Sequence, residues 1–233
     1  MNPSQSIRAI LLDIEGTTTP ITFVHDVLFS YARGQVRDYL AQHFDDEDVQ
    51  SDIRLLRNDP DNEGFPADDL EAIVAYLNRL IDLDRKSTGL KSLQGRIWRE
   101  GYADGSLRAQ VFPDVAPAFA RWRKAGLTVS IFSSGSVLAQ KLLFAHTEAG
   151  DLTPFIGHYF DTAVGKKGEA ESYRRIAEAL GLQPSEILFV SDVVAELAAA
   201  REAGMETALS LRPGNQPQDS AEQFRQINTF DEL

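Results

Sequence analysis

An apolar run that begins at Ile7 stops abruptly at Asp13, and Glu15, Gly16 and Thr17-Thr18-Thr19 follow at once. A short buried strand ending on a carboxylate, with a glycine-turned loop behind it, is how α/β proteins present reactive groups at the carboxyl edge of a sheet. Asp13 and Glu15 flank Ile14, so in extended backbone both side chains point the same way. Two carboxylates facing one crevice repel unless a cation or a shared proton neutralises them. The pair therefore reads as a metal site containing a nucleophile or an acid. An isolated Asp-x-Glu at a strand end is more often a cap for the next turn, so the rest of the chain has to decide.

Beyond the threonines the pattern turns helical. Val24, Val27, Leu28 and Tyr31 recur at i, i+3, i+4, i+7, and Val36, Tyr39, Leu40 and Phe44 continue the stripe. The acidic run Asp45 to Asp48 opens a second helix through Val49, Ile53 and Leu56, since acids favour a first turn. A loop follows at Asn58 to Gly64. Ala67-Asp68-Asp69 opens a third helix bearing Leu70, Ile73, Val74, Leu77 and Leu80, and Ser87 to Glu100 makes a fourth. Nothing from Phe23 to Gly105 reads as a strand.

From Val111 the grammar changes to strands alternating with helices. Helices are expected from Phe112 to Lys124, Val137 to Phe144, Glu169 to Leu180 and Ala195 to Ala203. Strands are expected at Leu127–Phe132, Tyr159–Thr162, Ile187–Val190 and Thr207–Leu211. Such alternation implies an α/β fold, a Rossmann-like doubly wound parallel sheet with a helical cap inserted after the first strand. The expected division is a core of residues 1–22 and 106–233 and a cap of 23–105.

Three strand ends then carry polar chemistry: Asp13 with Glu15, Ser133 with Ser134, and Asp192. Gly165-Lys166-Lys167-Gly168 precedes a helix and can add a cation. Each alone has a bland reading as a helix cap or a solvated charge. Four such groups on successive β-α units, all directed to one sheet edge, are what carries the functional reading. The net charge of -12 argues against binding nucleic acid or an anionic membrane, and with no cysteine there is neither a disulfide nor a thiolate metal site. No apolar stretch approaches the roughly 18 residues a membrane span needs. Met1 to Ser6 has no signal-peptide core. A soluble cytoplasmic protein is expected.

In this arrangement the residues resemble the haloacid dehalogenase superfamily: Asp13-Ile14-Glu15-Gly16-Thr17 matches its first motif, Ser133 its second, Lys167 its third, and Asp192, with Glu196 one helical turn on, its fourth. Most phosphatases of that superfamily have Asp where this chain has Glu15. Within it, Leu11 to Ile21 is similar to the enolase-phosphatases of methionine salvage. So are Leu83-Asp84-Arg85-Lys86, Leu93-Gln94-Gly95, Ser133 to Val137, Ala139 to Phe144, Glu169 to Tyr173 and Arg212-Pro213-Gly214-Asn215. The resemblance covers essentially the whole chain.

It implies enolisation and hydrolysis of 2,3-diketo-5-methylthiopentyl-1-phosphate, one Mg²⁺ per subunit, and a monomer. It implies Asp13 as nucleophile, Glu15 and Lys167 as further catalytic groups, and Ser133, Ser134 and Lys167 on the substrate phosphate. The metal would be held by Asp13, Glu15 and Asp192. Glu15, Lys86 and Gln94 remain open as the base for the enolisation. Phe23, Trp98 and Tyr102 are read as core packing before they are read as a pocket for the methylthio group, and His25, His146 and His158 as structural. Two other readings stand beside this one: a phosphatase of the same superfamily acting on another small phosphate ester, and a phospho-accepting receiver domain, to which the helical insertion and the late Asp192 are foreign.

Overall fold

The computed structural model describes residues 6–59, 65, 69–83, 85 and 87–233. In chain order its main elements are β1 (Ala9–Leu12), a π-helical stretch Phe23–Phe29 running into α1 (Ser30–His43), α2 (Glu47–Arg57), α3 (Leu70–Asp82) and α4 (Thr88–Asp104). Then follow α5 (Val115–Lys124), β2 (Thr128–Phe132), α6 (Val137–Ala145), β3 (Ile156–Phe160), α7 (Ala170–Leu180), β4 (Ile187–Ser191), α8 (Val194–Glu202), β5 (Glu206–Ser210) and β6 (Arg225–Ile227). The chain divides into two compact units, Met1–Val24 with Arg108–Leu233, and His25–Leu107.

The first unit is a six-stranded sheet in the order β3-β2-β1-β4-β5-β6, and every pairing in it is parallel. The chain steps outward from β1 through β2 to β3, then returns to the other side of β1 with β4. That reversal makes a crevice at the carboxyl ends of β1 and β4, where sheets of this kind bind ligands. Leu12 stands opposite Ile131 and Val190, so Asp13, Ser133 and Ser191 reach the same edge.

Alternation along the strands sorts the side chains to two faces. Leu11, Phe132, Phe189 and Leu209 bury against Tyr173 and Ile176 of α7 and Leu197 and Ala200 of α8. Ile10, Leu12, Val129, Ile131 and Val190 are buried on the opposite face, where α5 and α6 pack beside β2 and β3. Tyr173 is fully enclosed, with its ring 5.0 Å from Phe189 and 5.6 Å from Phe132. Each such ring contributes about 1.5–3 kcal/mol by leaving water.

The second unit is helical throughout among the described residues: α4 packs on α1 and α2, and α3 on α1. Gly89 lets α4 start against α2, because a Cβ there would meet Asp52 O at 2.5 Å. Arg96 joins the same two helices, its Nε donating to the buried Asp52 at 2.9 Å and its Nη1 to Asp48 at 3.0 Å. Trp98 Nε1 donates to Leu28 O at 2.9 Å, and its ring stacks with Phe29. This is the core packing expected of that tryptophan.

The sequence reading places these helices well and misses two details. β3 begins at Ile156, earlier than expected, because Gly157 and His158 are exposed and hide the start of the strand. β6 was not anticipated: three residues with only Ile227 buried leave no periodic signal. The expected helix start at Ala67-Asp68 lies outside the described residues, as do Asp84 and Lys86; α3 itself begins after Asp69, whose carboxylate accepts from Ala72 N at 3.0 Å. No helix of the described residues is long and apolar enough to cross a membrane. Because Phe189 is sealed between α7 and the sheet, Phe189→Ala is expected to lower the unfolding free energy by about 3–5 kcal/mol. Urea denaturation measures this, and a loss below 1 kcal/mol would contradict the packing described.

Candidate active site

The loop after β1 is wound around one carbonyl. Ile14 O accepts from the amides of Thr17, Thr18 and Thr19 at 3.2, 3.0 and 2.9 Å, and Gly16 N donates to Thr19 O at 2.9 Å. The three threonines are fully buried, so this loop is part of the core. Asp13 N donates to Val190 O at 3.0 Å, which fixes Asp13 at the mouth of the β1/β4 crevice, and Asp13 Oδ1 accepts from Ile14 N at 2.7 Å. Glu15 is partly buried and bridges to Thr19.

Opposite the loop lies Lys167. Its Nζ is 2.7 Å from Asp13 Oδ1 and 2.6 Å from Glu196 Oε2, and all three side chains are largely buried. α7 delivers the lysine: the Tyr173 hydroxyl donates to Lys167 O and the Ser172 hydroxyl to Lys166 O, both at 2.7 Å. Lys166, by contrast, is exposed beside Glu169. Ser191 closes the group. Its hydroxyl donates to Glu196 Oε2 at 2.9 Å, accepts from Val193 N at 3.1 Å, and lies 3.5 Å from Asp13 Oδ2.

Charge in this cluster is out of balance: three carboxylates (Asp13, Asp192, Glu196) surround one ammonium. Burial, with Asp13 and Glu196 adding repulsion, pushes the Asp192 carboxyl up to about 7. Burial and then Asp13 do the same to Glu196, also to about 7, against the pull of Lys167. Burial works against the charged form of Lys167, yet the carboxylates of Asp13 and Glu196 together outweigh it and raise its pKa. A crevice with surplus negative charge and hard oxygen donors suits a divalent cation. Among the described residues no three acidic or histidine side chains stand together as a complete ligand cluster.

On the other flank, Ser133 N donates to Phe160 O at 3.2 Å and Ser133 Oγ accepts from Gly135 N at 3.1 Å. Gln140, buried in α6, holds the turn with donations from Nε2 to Gly135 O at 2.9 Å and to Phe160 O at 2.8 Å. Ser136 caps α6 through Ala139 N at 3.3 Å. Ser133 and Ser134 thus stand in a turn clamped at the start of a helix, beside the end of β2.

A last loop, after β5, completes the frame. Arg212 is buried, with Nε donating to Thr17 O at 3.2 Å and Nη1 and Nη2 to the Asp114 carboxylate at 3.0 and 2.8 Å. Asn215 Nδ2 donates to Gly16 O at 2.9 Å and to Ser210 O at 3.1 Å. The motif residues Asp13, Lys167 and Asp192 therefore converge on one crevice, and Glu15 lies in the loop that lines it. Sequence reasoning gave no role to Ser191, Asn215 or Arg212. It placed Glu196 with Asp192 in the fourth matched motif but gave it no role of its own; α8 begins at Val194, so helical spacing does not set the two side chains together.

Gly16 leaves no room for a side chain. Its φ is +66°, and a Cβ there would stand 2.4 Å from Asp192 Oδ2. Gly181 has the same backbone, φ +65°, in open space. Gly181→Ala is expected to lose about 1–2 kcal/mol for left-handed alanine, and Gly16→Ala clearly more, since the methyl must also displace Asp192. Equal losses in chemical denaturation would mean that Asp192 does not press on the loop.

Comparison with known proteins gives the family. Residues 7–204 match the family model for haloacid dehalogenase-like hydrolases. Enolase-phosphatase E1 of Synechococcus elongatus is 54% identical, with 98% of each chain covered, and that of Sorangium cellulosum is 50% identical, with 97% of each covered. The crystal structure of the UTR4 protein of Saccharomyces cerevisiae superposes with a TM-score of 0.84 at 35% identity, covering 98% of this chain and 100% of that one. With its parallel sheet, its strand-end aspartate and its lysine placed as described, the chain belongs to the haloacid dehalogenase-like hydrolases and, among them, to the enolase-phosphatase E1 family.

Proposed function

We propose that the protein is a Mg²⁺-dependent enolase-phosphatase of methionine salvage, working as a cytoplasmic monomer with one Mg²⁺ per subunit. It converts 2,3-diketo-5-methylthiopentyl-1-phosphate to 1,2-dihydroxy-3-keto-5-methylthiopentene and phosphate. The observation that carries this reading is the strand-end carboxylate of Asp13 held 2.7 Å from the buried ammonium of Lys167. Phosphoryl transfer needs an in-line nucleophile, neutralisation of the non-bridging oxygens and a proton for the leaving group.

An oxygen of Asp13 forms the new bond to phosphorus as the ester bond to the substrate alkoxide breaks. Water then attacks the aspartyl-phosphate, releasing phosphate and restoring Asp13. Lys167 offsets the negative charge that grows on the phosphoryl oxygens. Ser133 and Ser134 donate hydrogen bonds to those oxygens from their clamped turn. Glu15, on a longer arm than the aspartate common in this superfamily, supplies the proton that the leaving alkoxide takes up.

The carboxylates of Asp13 and Asp192, with an oxygen of Glu15, would hold Mg²⁺, and the surplus of buried carboxylates supports that assignment. When bound, the cation neutralises phosphoryl oxygens and acts as a Lewis acid toward the enolate. The helical unit, His25–Leu107, corresponds to the expected cap insertion of residues 23–105. Of the candidates for removing the proton α to the carbonyl, Glu15 stands in the site loop; Gln94, buried in α4, carries a neutral amide that cannot take up the proton; Lys86 lies outside the described residues.

Incubation with the diketone phosphate and Mg²⁺, following enol absorbance and free phosphate together, tests the whole reading. Both signals are expected over many turnovers. Phosphate without enol would assign a different phosphatase, and one stoichiometric burst a phospho-acceptor. Asp13→Asn is expected to lower kcat by about 10³-fold or more, and substantial residual turnover would sink the nucleophile. Chelation should abolish activity and added Mg²⁺ restore it. Glu15→Gln is expected to stop hydrolysis; enolisation that survives in this variant places the carboxyl on the acid step alone.

A further inference from the structure

The turn after β5 brings a side-chain amide into the crevice whose chemistry the reaction does not account for. Asn215 N donates to Arg212 O at 3.1 Å, closing a turn that points the side chain back at Gly16. Both hydrogen-bond acceptors of Nδ2 are backbone carbonyls, Gly16 O at 2.9 Å and Ser210 O at 3.1 Å. A carbonyl cannot donate, so these bonds fix which end of the amide is nitrogen. The oxygen, Oδ1, must then face the other way, and it is buried without a hydrogen-bond partner.

Where it faces is given by Gly16. The position of the missing Cβ is 2.4 Å from Asp192 Oδ2 and 2.8 Å from Asn215 Oδ1. Two acceptor oxygens therefore share the space that one methyl group would fill, and among the described residues no donor satisfies the amide oxygen. Leaving a buried amide oxygen without a donor is unfavourable. Such an oxygen beside a metal-binding carboxylate suits the water shell of the cation, whose polarised O–H groups are strong donors. Mg²⁺ keeps several of its waters when protein binds it, and partners one step removed from the metal orient its ligands.

We propose that Asn215 is a positioning residue for the cation: Oδ1 accepts a hydrogen bond from a water of the Mg²⁺ shell on the Asp192 side, while Nδ2 pins the loop that carries Asp13 and Glu15. This rests on the metal site proposed above. Chain economy explains the arrangement, since one amide ties the loop backbone with its nitrogen and orients solvent with its oxygen. Asp, with no nitrogen to donate, and Ala, with neither group, cannot do both.

Mg²⁺ binding measured calorimetrically without substrate tests this, alongside thermal unfolding of the metal-free protein to confirm folding. Wild type is expected to bind Mg²⁺, and Asn215→Ala to bind it about tenfold more weakly. Ser210→Ala removes another donor to Gly16 O, the Ser210 hydroxyl at 3.2 Å, without touching Oδ1, and should bind like wild type. Asn215→Asp keeps an acceptor oxygen but gives up both carbonyl tethers, and should hold Mg²⁺ more tightly than Asn215→Ala. Unchanged affinity in Asn215→Ala would overturn the proposal. So would an equal loss in Ser210→Ala, or affinity in Asn215→Asp no better than in Asn215→Ala, because either would trace the effect to loop anchoring. A wild type that does not bind Mg²⁺ would instead remove the metal site itself.

Discussion

Lys167 is the charge on which the crevice depends. Its ammonium sits between Asp13 and Glu196 at 2.7 and 2.6 Å, and a buried ion pair keeps its value only while each partner is matched. The lysine is placed with the help of the helix that follows it. The hydroxyls of Ser172 and Tyr173 hold the carbonyls of Lys166 and Lys167, so the first turn of α7 sets the position of the charge. Tyr173 is at the same time the fully buried ring between Phe132 and Phe189. The same residue thus couples the packing of the sheet to the electrostatics of the site, and neither can relax without the other.

A second tie acts on the loop after β1 from behind. Arg212 bonds Thr17 O and the Asp114 carboxylate, and its Nη1 also donates to Asn228 O at 2.7 Å. Its guanidinium lies 4.6 Å from the ring centroids of both Phe112 and Phe230. Phe112 N in turn donates to Thr18 O at 2.9 Å. One planar group therefore gathers the site loop, the start of α5 and the C-terminal segment, using the fork geometry and the aromatic stacking that lysine lacks.

The strand-end residues Asp13, Ser133 and Asp192 were legible because an apolar run that stops on a polar group needs no tertiary information to be seen. The alternation after Val111 gave the sheet for the same reason. What was not legible depends on contacts distant in sequence. Ser191 reads as an ordinary strand-end serine until Asp13 and Glu196 stand beside it. Arg212 and Asn215 read only as parts of a matched stretch, because their partners lie almost two hundred residues earlier in the chain. β6 is too short to show a period, and its one buried residue, Ile227, is an isolated apolar position in a polar tail.

The charge of the crevice also bears on how a protein of net charge -12 can take an anionic substrate. The net charge offers no overall attraction, and Lys167 is already matched by two carboxylates. Burial first, and then the repulsion of neighbouring carboxylates, pushes Asp192 and Glu196 up to about 7. A phosphate dianion brought to this point would meet net repulsion, strengthened by the low dielectric of the buried edge. On the proposed reading the divalent cation therefore serves binding as much as chemistry: it brings the local charge closer to balance, which Lys167, shared between two carboxylates, does not do alone. This also accounts for the position of the carboxylates, which oppose the substrate alone and favour it once they hold the metal.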